Sequence, residues 1–109
     1  MPTRPTFIEA ANQFKLIKLT DFSGNLRIVE PYMIYDSAKG KLCFHCYQLE
    51  GHSDSGNSFG WKNPEVNSFE FSEIINSSYR QRREYNPFNE KMFVNVHFSV
   101  ATIDGRMRR

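Results

Sequence analysis

Cysteine, alanine, leucine and tryptophan are all sparse in this 109-residue chain, which has two cysteines and one tryptophan. Cys43 and Cys46 stand three residues apart in what reads as a strand. That odd spacing sends their side chains to opposite faces, so reduced thiols are expected rather than a mutual disulfide. Long apolar runs are lacking as well: nothing approaches the ~20 residues that a membrane span requires. The opening MPTRPTFIEA has no apolar signal-peptide core, and the expectation is a soluble, cytoplasmic protein without a membrane partner. A large charge of one sign is also missing. The formal net charge of +2 is close to neutral, and composition as a whole does not announce a nucleic-acid binder.

Aromatic residues, by contrast, make up 15% of the chain, ten of them Phe. Flat and β-branched side chains pack well on a pleated surface, so this balance with little Ala and Leu favours strands over helices. A chain of this length forms one domain, residues 1–109, and buries about 65% of its unfolded surface. The charge is unevenly spread. Residues 1–75 carry seven Lys and Arg against nine Asp and Glu, and residues 76–109 carry seven against three, which leaves +4 on the C-terminal third. An anionic partner is to be sought there.

Along the chain, Thr6 to Ala11 reads as a short helix with Thr6 as cap and Glu9 at capping-box spacing, after a start punctuated by Pro2 and Pro5. Gln13 to Thr20 reads as a first strand, and Ser23-Gly24-Asn25 as a hairpin turn, because Gly and Asn tolerate positive φ. Leu26 to Tyr35 is a second strand bent at Pro31, and Lys41 to Leu49 a third. Glu50 to Pro64 is a long polar loop, a class that is usually functional or mobile. Val66 to Phe71 is a fourth strand. Met92 to Val100 is a fifth, with Met92, Val94, Val96, Phe98 and Val100 on one face and His97 pointing away. Ile74 to Lys91 shows no period. Five short strands joined mostly by tight turns predict a small β-barrel, because closure removes exposed edges. Its predicted core is Phe69, Phe71, Ile28, Phe44 and Val96, within a body of about 7–100 followed by a basic tail at 101–109.

The run Asn25 to Tyr35 (NLRIVEPYMIY), then KLCFHCYQLE, then NSFEFSEII, resembles the WYL domain of bacterial transcription regulators and phage-defence proteins, over roughly Phe7 to Ile75. The resemblance implies an Sm-like or SH3-like barrel with a sensing role. The eponymous Trp-Tyr-Leu falls at Leu42, Cys43 and Phe44, so all three letters are replaced while the alternation survives. The family's Arg-x-Phe-x-Leu-x-Arg-Ile lies over Asn67, Phe69, Phe71, Glu73 and Ile74. Both arginines are therefore lost, and a carboxylate at Glu73 would repel a phosphate. Arg27 is the family-like basic position that remains. The ligand face implied by the resemblance comprises Arg27, His45, Tyr47, Asn67 and Glu73.

Two functional readings follow. In the first, the chain is a ligand-sensing regulatory module that binds nucleic acid or a nucleotide and acts through a partner protein or self-association. In the second, it is a protein-interaction or oligomerisation module that has lost the ligand site. Tyr79-Arg80-Gln81-Arg82-Arg83-Glu84-Tyr85 interleaves cations with rings. It is either a phosphate-tracking and base-stacking segment, using Arg80, Arg82, Arg83, Tyr79 and Tyr85, or a solvated connector whose tyrosines anchor it to the barrel. Trp61 either caps a pocket or covers the barrel's open end. Cys43-Phe44-His45-Cys46, with His52 six residues on, suggests zinc only superficially. Cys43 and His45 share one strand face and Cys46 shares the other with Leu42 and Phe44, whereas a zinc site needs four converging ligands. No metal, no cofactor and no enzymatic activity are expected.

Overall fold

The computed structural model describes residues 3–51 and 59–107. Within them the chain forms a helix, α1 (Thr3–Asn12), and six antiparallel strands: β1 (Lys15–Asp21), β2 (Leu26–Asp36), β3 (Leu42–Gly51), β4 (Gly60–Lys62), β5 (Phe69–Ser78) and β6 (Asn95–Ser99). A 3₁₀ turn, Val66–Ser68, leads into β5. The strands make one open sheet in the order β4-β3-β2-β1-β5, with β6 beside β2. The mainly β class and the short N-terminal helix thus stand, and the strand count rises from five to six. No helix among the described residues is long and apolar enough to cross a membrane.

The helix starts earlier than its sequence suggested. Pro5 falls in the first turn, where a missing amide breaks no helical bond. Thr6 is buried inside the helix rather than capping it. Phe7, Ala10 and Ala11 recur at helical spacing and turn inward, and the Phe7 ring stacks on Phe44 of β3 at 4.1 Å and 12°. The expected turn between β1 and β2 is present: the Asp21 carboxylate accepts the backbone amides of Ser23 and Asn25, both at 2.9 Å, and Gly24 takes φ +86°.

β2 is the axis of the sheet. β3 runs along one side of it. On the other side β1 pairs Leu26 to Val29, and β6 pairs Met33 to Asp36. The bend expected at Pro31 coincides with a slip in the ladder, since Pro31 faces Cys46 while Met33 faces His45. Tyr32 is therefore the extra residue of a bulge, a place where a strand tolerates proline. The sheet is strongly curled. Phe44 on β3 stacks with Phe69 on β5 at 6.0 Å, although β2 and β1 lie between those strands in the ladder. In a flat sheet three strand spacings of ~4.8 Å would hold them about 14 Å apart.

Each face of the sheet carries its own core. Phe7, Ile17, Leu19, Val29, Phe44 and Phe69 lead the inner cluster. Tyr32, Met33, Tyr35, Tyr85, Phe93 and Val100 lead the outer one, where the segment after β5 covers β2 and β3. The facial assignment of β3 is as expected: Phe44 and Cys46 belong to the inner cluster, while Cys43 belongs to the outer and His45 packs on Trp61 of that layer.

Four expectations are corrected. The fourth strand begins at Phe69, because Val66–Ser68 is a 3₁₀ turn, and it runs on to Ser78. Phe71 is not in the core: it is 52% exposed. Thr20 pairs Phe71 while Asp21 pairs Phe69, so Glu70 is an extra residue on β5, and a one-residue slip turns the following side chain to the opposite face. The last strand is confined to Asn95–Ser99, with Phe93 buried and Val94 exposed, so alternation holds only from Val96 onward. Within the loop expected from Glu50 to Pro64, Glu50 and Gly51 belong to β3 and Gly60–Lys62 is β4.

Candidate functional site

The residues singled out from sequence lie in separate places. Arg27 projects from the start of β2 into a polar corner of about 450 Å³, shared with Ser23, Asn63, Glu65, Ser68 and Phe69. Its Nη1 donates to Gln48 Oε1 at 3.1 Å, and the guanidinium lies over the Phe69 ring at 5.8 Å. It makes no ion pair among the described residues. The carboxylates of the corner are already engaged: Asp21 by the hairpin amides, and Glu65 by Lys41 at 3.9 Å. A guanidinium offers five donors, so the corner retains cationic donor capacity.

Asn67 lines an adjoining hollow with Arg4, Phe22 and Phe69. Glu73 is elsewhere, on the outer side of β5, bonded to Lys18 at 3.0 Å. His45 and Tyr47 belong to the aromatic layer over β2 and β3. Alternation puts Cys43, His45 and Tyr47 on the same side of β3, and the pairing of Tyr47 with Trp61 aligns β4 beside them. The imidazole lies flat on the Trp61 indole at 4.8 Å and 7°, with Phe93 at 4.8 Å and Tyr85 at 6.0 Å. Asn63, just beyond β4, fastens this layer: its Oδ1 accepts from Tyr35 Oη at 3.0 Å and meets His45 Nδ1 at 2.7 Å. An oxygen that accepts from both fixes the proton on Nδ1 and leaves Nε2 as an acceptor. Burial holds the His45 pKa below the usual histidine range, against the opposing effect of the Asn63 bond. Trp61 covers the outer face of the sheet and also borders a cavity beside His45.

The basic segment is largely tied to the sheet. Tyr79 Oη donates to the Pro31 carbonyl at 2.7 Å, and Tyr85 is buried with its hydroxyl on Ser99 Oγ at 2.5 Å. Burial pushes the Tyr85 pKa up to about 12 and raises that of Tyr79 as well. Arg82 forms a two-pronged bond with Glu30, Nε to Oε1 at 3.0 Å and Nη2 to Oε2 at 3.1 Å, and lies 3.6 Å over the Tyr47 ring. Of the cations and rings named for nucleic acid, Arg80 and Arg83 are the ones left exposed. Arg80 borders a mainly apolar groove with Phe14, Tyr79 and Ile103.

Both cysteines are free and buried, and burial is the main cause that raises the pKa of each, Cys46 to about 12. Among the described residues no three His, Cys, Asp or Glu side chains converge as a metal site, and His52 lies outside those residues. Sequence reasoning missed Glu30, Asn63 and Phe93. Glu30 offered one signal: a carboxylate within the apolar run Ile28 to Tyr35 calls for a cationic or hydrogen-bonding partner. Comparison of the chain with protein-family models, with curated proteins and with solved structures gives no match.

Proposed function

We propose that this chain is a ligand-sensing binding module of the WYL type, which docks an anionic group, the phosphate of a nucleotide or nucleic acid, against Arg27. The observation that carries this reading is the guanidinium without an ion pair among the described residues, in a polar, open corner whose carboxylates are engaged by other groups, Asp21 by the hairpin amides and Glu65 by Lys41. The fold supports it. A helix before β1, the order β4-β3-β2-β1-β5 and a curl that brings β3 and β5 side chains together are what an Sm-like or SH3-like barrel would display. Arg27 is also the basic position that the family-like motif retains. Charge-assisted bonds of this kind contribute about 1.5–3 kcal/mol each, and Ser23, Ser68 and Asn63 add polar groups around the guanidinium.

Calorimetric titration with nucleoside mono- and diphosphates and with short single-stranded oligonucleotides tests the reading. Arg27→Gln should weaken binding about tenfold or more and reduce its salt dependence. Equal affinity of the variant, or no binding by the native chain, removes Arg27 from the account.

The second reading, an interaction or self-association module, draws on a different observation. Phe22 and Phe71, 69% and 52% exposed, stand near the start of β5, a strand that among the described residues pairs with β1 alone. Light scattering across a concentration series checks it: a dimer that Phe71→Asp dissociates favours this reading.

A further inference from the structure

A second cavity carries an inference that does not depend on Arg27. It measures about 180 Å³ and is lined by His45, Trp61, Glu84, Asn86, Asn89, Met92 and Phe93. His45 is 7% exposed. Its Nδ1 is spent on Asn63, and Nε2 has no protein partner among the described residues. No side-chain nitrogen or oxygen sealed from solvent lacks a partner there, so Nε2 is not sealed. A bare acceptor on a buried residue that lines a cavity faces that cavity. The two asparagines supply the opposite polarity. Asn86 Oδ1 accepts the Phe88 amide at 3.1 Å and Asn89 Oδ1 accepts the Met92 amide at 3.3 Å. These turn-capping bonds fix both carboxamides and leave their Nδ2 groups as donors.

We propose that this cavity binds a six-membered nitrogen heterocycle of the pyrimidine type, its ring against Trp61 and Phe93 and its polar edge met by His45 Nε2 and the amide groups of Asn86 and Asn89. Size agrees: an apolar cavity of about 150 Å³ accepts benzene, so this one takes a single ring with small substituents. The polarity agrees too. A pyrimidine edge presents an N–H donor between or beside carbonyl and ring-nitrogen acceptors, which His45 Nε2 and the two carboxamide groups complement, while the Glu84 carboxylate on the same lining is a further acceptor for an exocyclic amine. Aromatic walls add stacking that any flat base satisfies. An aromatic wall beside Glu84 would also suit an ammonium ion. The amide donors that Asn86 and Asn89 add to the lining favour a neutral ring edge over a cation, because they present positive hydrogens.

Trp61 is the chain's single tryptophan and stacks on His45, so its emission reads occupancy directly. Uridine and cytidine are the probes. They carry no phosphate, so failure here and failure at Arg27 are separate results. Saturable quenching at millimolar nucleoside is expected. His45→Phe keeps a ring on Trp61 but removes the acceptor, and Asn89→Asp keeps the turn cap but replaces the donor; each should weaken binding about tenfold. Protonation turns Nε2 into a donor, so affinity should also fall as the pH drops below the usual histidine range. Circular dichroism establishes that the variants fold, and if His45→Phe does not, Asn89→Asp and the pH profile decide. The proposal is overturned by any of three results: no saturable quenching, affinity unchanged by the folded variants, or tetramethylammonium competing as well as the nucleosides.

Discussion

Glu30 is 4% exposed, and everything around it answers that one buried carboxylate. Tyr32 Oη donates to Oε1 at 2.9 Å, and Arg82 closes both oxygens from 52 residues away in sequence. Arg82 is held in turn, by its own amide on Tyr32 Oη at 3.0 Å and by the Tyr47 face. Removing the guanidinium would strand a desolvated charge. Arg82→Ala is therefore expected to cost about 2 to 4 kcal/mol, less than a fully buried pair because Arg82 is partly open to water. Glu30→Gln in the Arg82→Ala background should recover part of that loss, and a double-mutant cycle in urea measures both. The phenylalanines give a sharper contrast. Phe44, fully buried between Phe7 and Phe69, should cost about 3 to 5 kcal/mol on truncation to Ala. Phe71→Ala on the exposed side of the bulge should stay within about 0.5 kcal/mol. A large loss at Phe71 would mean that its face is covered.

At the scale of elements, period-two alternation and turn residues located β1, β2 and β3 to within a residue or two. Those strands carry apolar residues at alternate positions, and Gly-containing turns separate them, Ser23-Gly24-Asn25 between β1 and β2 and Ser37 to Gly40 between β2 and β3. The signal failed where the backbone departs from strict alternation. The extra Glu70 inverts the pattern at the start of β5, and beyond it Ile74-Ile75-Asn76-Ser77-Ser78 has neither alternation nor a helical period. β4 is three residues long, too short to carry a pattern. The aromatic layer was illegible for another reason: its members come from β2, β3, β4 and the segment after β5, and only the fold brings them together. β6 adds a testable pH dependence. It is held to the end of β2 by Asp36, whose carboxylate accepts Asn95 Nδ2 at 3.1 Å and meets His97 Nε2 at 3.0 Å. Those bonds, Asn95 first, hold the Asp36 pKa below the usual carboxylate range. A carboxyl that is more acidic in the folded chain stabilises it above its unfolded pKa of about 3.9, and that contribution fades as the pH falls through the lower folded value. Amide-exchange protection in β6 should thus weaken selectively in acid. Asp36→Asn should have weaker protection at neutral pH and lose that acid dependence.

On the scale of the whole molecule, one sheet has two apolar faces and the chain covers them by different means. The inner face packs on α1, and the curl brings its β3 and β5 side chains together. The outer face of β2 and β3 presents Tyr32, Met33, Tyr35 and Cys43, and its cover is supplied by Tyr85, Phe93 and Val100 from the segment after β5. That cover is fastened at intervals. Tyr79 bonds the Pro31 carbonyl, Arg82 clasps Glu30, the Val94 amide reaches the Asp36 carbonyl at 3.1 Å and the Val100 amide the Tyr32 carbonyl at 3.1 Å. Stability of the curled sheet and integrity of the His45 cavity are therefore one property, since Phe93 and Asn89 belong to both the cover and the cavity wall. A chain ending at Ser78 would expose a contiguous aromatic patch and leave Glu30 buried without its cation. It should bind a hydrophobic dye such as ANS, lose cooperative unfolding and self-associate. Supplying residues 79–107 as a separate peptide should restore a cooperative transition and suppress dye binding, because the contacts that hold the cover are made to β2 and β3 and not through chain connection. A truncated chain that stays monomeric, dye-negative and cooperatively folded would show that the inner core suffices alone and that the outer layer is an accessory to binding rather than part of the fold.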